Sequence, residues 1–151
     1  MKCTKGRMAL CISLTILLLA FIWGNSCLPG SVSGVISGWL SKFLGLMPSD
    51  PQGGHGLLRK LAHFTEFTLL GACLCWLFAM LGKKFPIPLL CGFLVACTDE
   101  TIQCFIPDRG PAFTDVLIDT AGVAVGIGLL LGAFAIYKKK NTLQYLEETK
   151  L

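Results

Sequence analysis

The sequence predicts an all-α membrane protein, a bundle of four transmembrane helices with an amphipathic extracytoplasmic helix between the first and second spans. Three observations carry that expectation. Of 151 residues, 54% are hydrophobic and only 15% are charged, whereas a water-soluble domain carries about a quarter charged residues. The charges stand in short clusters separated by apolar runs close to the ~20 residues that a helix needs to cross a bilayer. Acidic residues also recur inside those runs, where a helix facing only lipid would not carry them. Disordered, fibrous and disulfide-scaffold classes do not fit this composition.

The elements follow in chain order. The first span covers 8–24 and is preceded by Lys2, Lys5 and Arg7. A basic start before an apolar run also describes a signal peptide, with Gly24 and Ser26 as small residues around a cleavage point. Phe21, Ile22 and Trp23 carry apolar bulk almost to that point, which suits an uncleaved anchor. Ser31 to Met47 then sets Val32, Val35, Ile36, Trp39, Leu40, Phe43, Leu44 and Met47 at helical spacing, with Ser33, Ser37, Ser41 and Lys42 opposite. That amphipathic helix either lies in the outer headgroup layer or covers the other spans as a lid. Pro48 to Gly56 reads as a loop. The remaining spans are expected at 61–81, 86–106 and 113–137, and the polar tail from Lys138 is too short to fold independently. With no internal repeat and no second hydrophobic unit, residues 1–151 are expected to form a single domain.

Basic flanks orient the spans, because Lys and Arg resist translocation while acidic residues matter little. In a four-span arrangement Lys2, Lys5, Arg7, Lys83, Lys84, Lys138, Lys139, Lys140 and Lys150 share one side, against Lys42, Arg59, Lys60 and Arg109 on the other. Both termini are therefore expected in the cytoplasm of a cell that holds the protein as a multi-pass membrane component. The net charge of +4 arises from these topogenic groups, so no nucleic-acid partner is expected. Cys11, Cys73, Cys75, Cys91, Cys97 and Cys104 lie in apolar runs without a CxxC pair and read as reduced packing residues. Cys3 and Cys27 stand in polar surroundings, but the residues before Cys27 make a poor lipobox.

The acidic residues are the most informative feature. Of nine, Glu66, Asp99, Glu100, Asp115 and Asp119 fall inside or at the edge of the expected spans. A carboxylate at the bilayer centre costs roughly 2.5 to 3.5 kcal/mol even on lenient insertion scales, so such residues face a cavity, pair with a cation or have a function. All fall in the outer halves of their spans, together with Arg59, Lys60, His63 and Gln103, while Asp108 and Arg109 cap the same end. Residues three and four apart share a helix face. Asp115, Asp119, Gly122 and Gly126 follow that spacing, as do Gly92, Ala96, Asp99 and Gln103, and Lys60, His63 and Glu66. Polar and small residues thus share faces, which predicts a polar pocket inside the bundle, open outward. A purely structural ion-pair network is the bland alternative, with Glu66 neutralising Arg59 or Lys60 and Asp115 neutralising Arg109. Five acids nevertheless exceed the three nearby fixed cations.

The run His63-Phe-Thr-Glu66-Phe67 with Gly71, then Asp99-Glu100-x-x-Gln103, Pro107-x-Arg109, Asp115 and Gly122-x-x-x-Gly126 resembles the VanZ family over roughly the whole chain. Three positions depart from its pattern: Asp108 and Asp119 stand where Gly and Asn are common, and Phe67 where Tyr is frequent. The resemblance implies an integral membrane protein of a bacterial envelope, related to the accessory protein associated with teicoplanin resistance. It implies no particular reaction.

Three functions are compatible with these residues. In the first, Arg59, Lys60 and Arg109 bind an anionic, lipid-linked cell-wall component and so lower susceptibility to glycopeptides, with Asp99, Gln103, Asp115 and Asp119 completing the pocket. In the second, the protein is a membrane-embedded enzyme acting on a lipid-linked phosphate, with Glu66 or Glu100 as general acid or base and His63 as partner. A variant has Asp99, Glu100 and Asp115 holding Mg²⁺ against a pyrophosphate. No P-loop or HExxH is present, no resident metal set is assigned and the cofactor stays open. The third is a small proton- or cation-coupled carrier, completed by a homodimer through the glycine stripe. Membrane lipids are partners in all three.

Overall fold

The computed structural model describes residues 4–43, 54–83 and 85–148. Five helices follow in order: α1 (Lys5–Ser26), α2 (Gly30–Phe43), α3 (Gly54–Met80), α4 (Ile87–Gln103) and α5 (Phe113–Glu148), and no strand occurs among the described residues. Three of them are long and apolar enough to cross a membrane: Lys5–Ser26, Leu58–Met80 within α3 and Phe113–Thr142 within α5. The protein is an all-helical membrane protein. α4 is shorter, with 17 residues, which at 1.5 Å per residue extend about 25 Å, and it bears Asp99 and Glu100 near its end.

Two boundaries differ from those expected. α3 begins at Gly54, so Gly54 to Gly56 belong to a helix and not to a loop; no proline stands between Gly54 and Leu61 to stop the helix from propagating backward. The rest of that loop, and Leu44 to Met47, lie outside the described residues. α5 runs on through Lys138 to Glu148 as one helix. The tail is polar, but its Lys, Leu, Gln and Glu residues are good helix formers with no glycine or proline among them.

The glycines decide how the helices meet. On Gly122 a Cβ would stand 2.7 Å from the Phe64 carbonyl oxygen, and on Gly126 it would overlap the Thr68 carbonyl. Gly71 of α3 would collide in the same way with the Val123 backbone. α3 and α5 therefore touch backbone to backbone, and their positions rise together along the chain, so the two helices are parallel. The glycine stripe expected from the sequence is covered by α3 of the same chain. α1 runs opposite to α3: near one end Cys11 Sγ donates to the Cys73 carbonyl at 3.5 Å, and near the other Asn25 reaches Glu66. α4 carries the chain back between the parallel pair, with Gly92 seated on the Val123 side chain.

The interior is a modest apolar core, with Ile22, Phe67, Leu70, Ala96, Val123 and Ile127 at its centre. Above it the interior turns polar: His63, Glu66, Asp99, Glu100, Gln103, Arg109, Asp115 and Asp119 are all buried. The outside is the reverse. Leu10, Ile16, Leu17, Phe21, Leu69, Leu90, Leu94, Leu129 and Ile136 are exposed, a belt that water would penalise and lipid tails accept. α2 is seated by its first residue on the α4–α5 connection, where the Gly30 N–H donates to the Pro107 carbonyl at 3.2 Å. Val32, Val35, Trp39 and Phe43 point away from the rest of the protein, and the last two rings stack with centroids 5.7 Å apart. The seven cysteines among the described residues are all unpaired.

Candidate functional site

Four helix ends and one turn converge at the end of the bundle opposite Lys5, Lys83 and Lys138. Because α3 and α5 run parallel, Arg59 meets Asp115 and His63 meets Asp119. Because α1 and α4 both finish here, Asn25 and Ser26 stand beside Glu66 and Asp99. All ten residues singled out from the sequence thus reach one site, in two tiers.

The upper tier is an ion-pair cluster at the rim. Asp115 lies in the first turn of α5, where its charge also complements the exposed N–H groups of the helix end. Its carboxylate accepts from Arg59 Nη2 at 3.4 Å and faces Lys60 Nζ at 3.6 Å. Those two cations are partly solvated, at 28% and 44% side-chain exposure, so the pairs are worth at most about 1 kcal/mol each. The pairing differs from the one weighed above, since Asp115 neutralises Arg59 and Lys60 and not Arg109.

Between the tiers the α4–α5 turn is tied down. Glu100 Oε2 accepts the Ala112 backbone N–H at 2.9 Å. Asp108 has φ +59°, in the left-handed region that glycine enters freely and aspartate more readily than most residues. That conformation explains why a glycine suits this position. The turn delivers Arg109, 8% exposed, into the interior, where Nη2 donates to the Asn25 carbonyl at 3.1 Å. Nε and Nη1 have no hydrogen-bond partner, and among the described residues no carboxylate lies within salt-bridge distance of the guanidinium. Burial, and then the nearby Arg59 charge, push its pKa below the ordinary arginine value.

The lower tier is drier. Asp99 Oδ2 accepts from Ser26 Oγ at 2.8 Å and from Gln103 Nε2 at 2.9 Å, and Gln103 also reaches Ser26 at 3.4 Å. Glu66 Oε1 accepts from Asn25 Nδ2 at 3.3 Å, leaving Oε2 unpartnered. His63 Nδ1 lies 3.7 Å from Asp99 Oδ2 and 3.7 Å from Asp119 Oδ2, too far for a hydrogen bond. Both His63 nitrogens, both Asp119 oxygens and Asp99 Oδ1 are buried without a partner. Among the described residues, His63, Asp99 and Asp119 are the group whose donor atoms converge as metal ligands would, all within 4.8 Å of one another. The Mg²⁺ trio considered from the sequence does not converge in this way, because Glu100 is turned to the turn backbone and Asp115 to the rim cations. His63 is hydrogen-bonded to neither Glu66 nor Glu100.

Asn25 and Ser26 are site residues that the sequence reading passed over. Their place at the end of an apolar run suggested a cleavage point. The available signal was their depth: in a four-span arrangement they fall level with Glu66 and Asp99.

Comparison with protein families finds a match to the VanZ/LLP1 family over residues 8–136. Comparison with curated proteins and with solved structures finds no match.

Proposed function

The chain belongs to the VanZ/LLP1 family, and from that premise we propose that it is a four-pass bacterial cell-membrane protein whose polar end binds an anionic, lipid-linked envelope component. The observation that carries the binding is Arg109. A buried guanidinium with two unpartnered donor nitrogens and, among the described residues, no carboxylate within salt-bridge distance calls for an anion, and a phosphate or carboxylate offers the bidentate acceptor that fits it. Arg59 and Lys60 stand at the rim to draw such a headgroup in, and the lipid tail would lie along the exposed leucines of the belt.

The four-pass reading rests on the parallel α3 and α5. Two consecutive spans that cross in the same sense require a return crossing between them, and α4 is the only helix that joins them among the described residues. The polar end then faces outward, and Lys5, Arg7, Lys83, Lys138, Lys139 and Lys140 fall on the cytoplasmic side with both termini, in accord with the positive-inside rule. α2, its exposed Trp39 and Phe43 stacked, lies in the outer headgroup layer.

Occupation of a cell-wall precursor would lower susceptibility to teicoplanin. The test expresses the chain in a sensitive host and compares it with Arg109→Gln and with the isosteres Glu66→Gln, Glu100→Gln, Asp115→Asn and Asp119→Asn, membrane abundance being held equal. Protection by the native sequence that Arg109→Gln abolishes supports the reading. Protection that survives Arg109→Gln removes the anion site from it, and no protection at all removes the glycopeptide role.

A further inference from the structure

The lower tier contains more than an anion site needs. Arg109 accounts for the binding proposed above, yet His63, Asp99 and Asp119 lie beyond it, buried and without hydrogen bonds between them. The geometry points to a divalent transition-metal site: we propose that His63, Asp99 and Asp119 together bind one Zn²⁺-like ion through an imidazole nitrogen and two carboxylate oxygens.

Three features of the cluster carry this assignment. The first is spacing. Ligand atoms bound to a tetrahedral Zn²⁺ at ~2.1 Å stand about 3.4 Å apart, and the two imidazole–carboxylate separations are each 3.7 Å. That is too long for a hydrogen bond and close to the edge of a metal polyhedron; with the third edge, all three donor atoms lie within 4.8 Å of one another, and they would draw together around the ion.

The second is the unsatisfied donor set. A histidine 5% exposed, with neither ring nitrogen partnered, and an aspartate 0% exposed, with neither oxygen partnered, stand with Nδ1 and Oδ2 3.7 Å apart. Leaving such groups bare costs about 1 to 3 kcal/mol each, more for charged ones. The third is orientation. Asp99 Oδ2, the oxygen 3.7 Å from His63, accepts from Ser26 and Gln103, which fix the carboxylate as outer-shell residues do in metal sites, and Oδ1 is left without a partner. Three protein ligands leave a fourth position open, as in catalytic and labile zinc sites, and the free Oε2 of Glu66 belongs to the same buried tier.

Donor chemistry narrows the ion: one imidazole with two carboxylates suits Zn²⁺, Mn²⁺ or Co²⁺ better than Mg²⁺, which prefers oxygen and water. Asp119 is decisive, because an asparagine amide at that position would supply no negative charge.

The test uses the full chain in lipid nanodiscs, stripped with chelator, re-equilibrated with Zn²⁺ and read by elemental analysis, with Co²⁺ substitution read by absorption. About one equivalent of Zn²⁺ per chain is expected for the native sequence, and a Co²⁺ spectrum without thiolate charge transfer. Asp119→Asn and His63→Gln should each lose affinity by more than about ten-fold, and Gln103→Leu by about ten-fold. Asp115→Asn, which touches only the rim, should bind as the native chain does. Asp119→Asn preserves shape, and equal helicity of the variants by circular dichroism shows that the fold is kept. Absence of stoichiometric metal from the folded native chain would overturn the proposal. So would unchanged binding by His63→Gln or Asp119→Asn, or a Co²⁺ spectrum dominated by thiolate. None of these readouts depends on drug susceptibility or on Arg109, so this site and the anion site fail separately.

Discussion

The α3–α5 seam has two halves built on one spacing. In the lower half Gly71, Gly122 and Gly126 bring backbone against backbone, and Val123 and Ile127 fill the core beside them. In the upper half the same face of α5 continues as Asp119 and Asp115, and opposite them stand His63 and Arg59. The lower half has no room for a methyl group, whereas the upper half leaves 3.7 Å gaps between polar atoms. One periodic stripe thus supplies both a structural contact and a candidate site. In a bilayer helix association draws on close packing of small residues, so the glycine half holds the helices in place while the polar half can stay unsatisfied.

This contrast can be broken or sharpened by substitution. The largest effect is expected at Gly126→Leu, where a side chain must enter the Thr68 carbonyl; a loss of about 3 kcal/mol or more should appear as a lower midpoint, or no folded protein, in detergent unfolding. Next, Arg109→Gln should weaken retention of an anionic lipid, read by native mass spectrometry, by about 10- to 100-fold, as expected for charged hydrogen bonds worth about 1.5 to 3 kcal/mol. Retention equal to the native chain would dissociate Arg109 from the anion. Asp115→Asn releases Arg59 and Lys60 at a partly solvated rim, so a stability change within about 1 kcal/mol is expected by the same unfolding assay. A larger loss would show that the rim is as structural as the glycine half. Smallest is Asp108→Gly, which relieves the positive φ while adding chain entropy to the unfolded state; a net gain of about 0.5 kcal/mol or less is expected.

Much of this was legible in the chain. Apolar runs marked α1, α3, α4 and α5, and the spacing from Ser31 marked α2, because hydrophobic period and length are local properties. The placement of Glu66, Asp99, Glu100, Asp115 and Asp119 at one end followed from counting depth along alternating helices. Helix ends were less legible: α3 starts at Gly54 and α5 continues to Glu148, since leaving an apolar run does not oblige a helix to stop. Partner choice was not legible at all. Asp115 faces Arg59 and Lys60 while Arg109 turns inward to Asn25, a result of which helices lie side by side. Asn25 and Ser26 were missed because a polar pair after an apolar run has several local meanings, and only contact with α3 and α4 selects one.

By itself the sequence determined that this is an all-helical membrane protein of the VanZ/LLP1 type, with the acids of its apolar segments at one end and a glycine stripe on the face of α5 that packs. Composition, period and motif order are written in single residues and short windows, so no folding is needed to read them. The tertiary structure alone decided that α3 and α5 are parallel neighbours. From that adjacency follows the buried glycine contact, and with the ends of α1 and α4 beside it follow the inward turn of Arg109 to Asn25 and the gap shared by His63, Asp99 and Asp119. The physical reason is that hydrogen bonds and ion pairs act over about 3 to 4 Å, a distance that residues far apart in the chain reach only when the packing of helices brings their ends together.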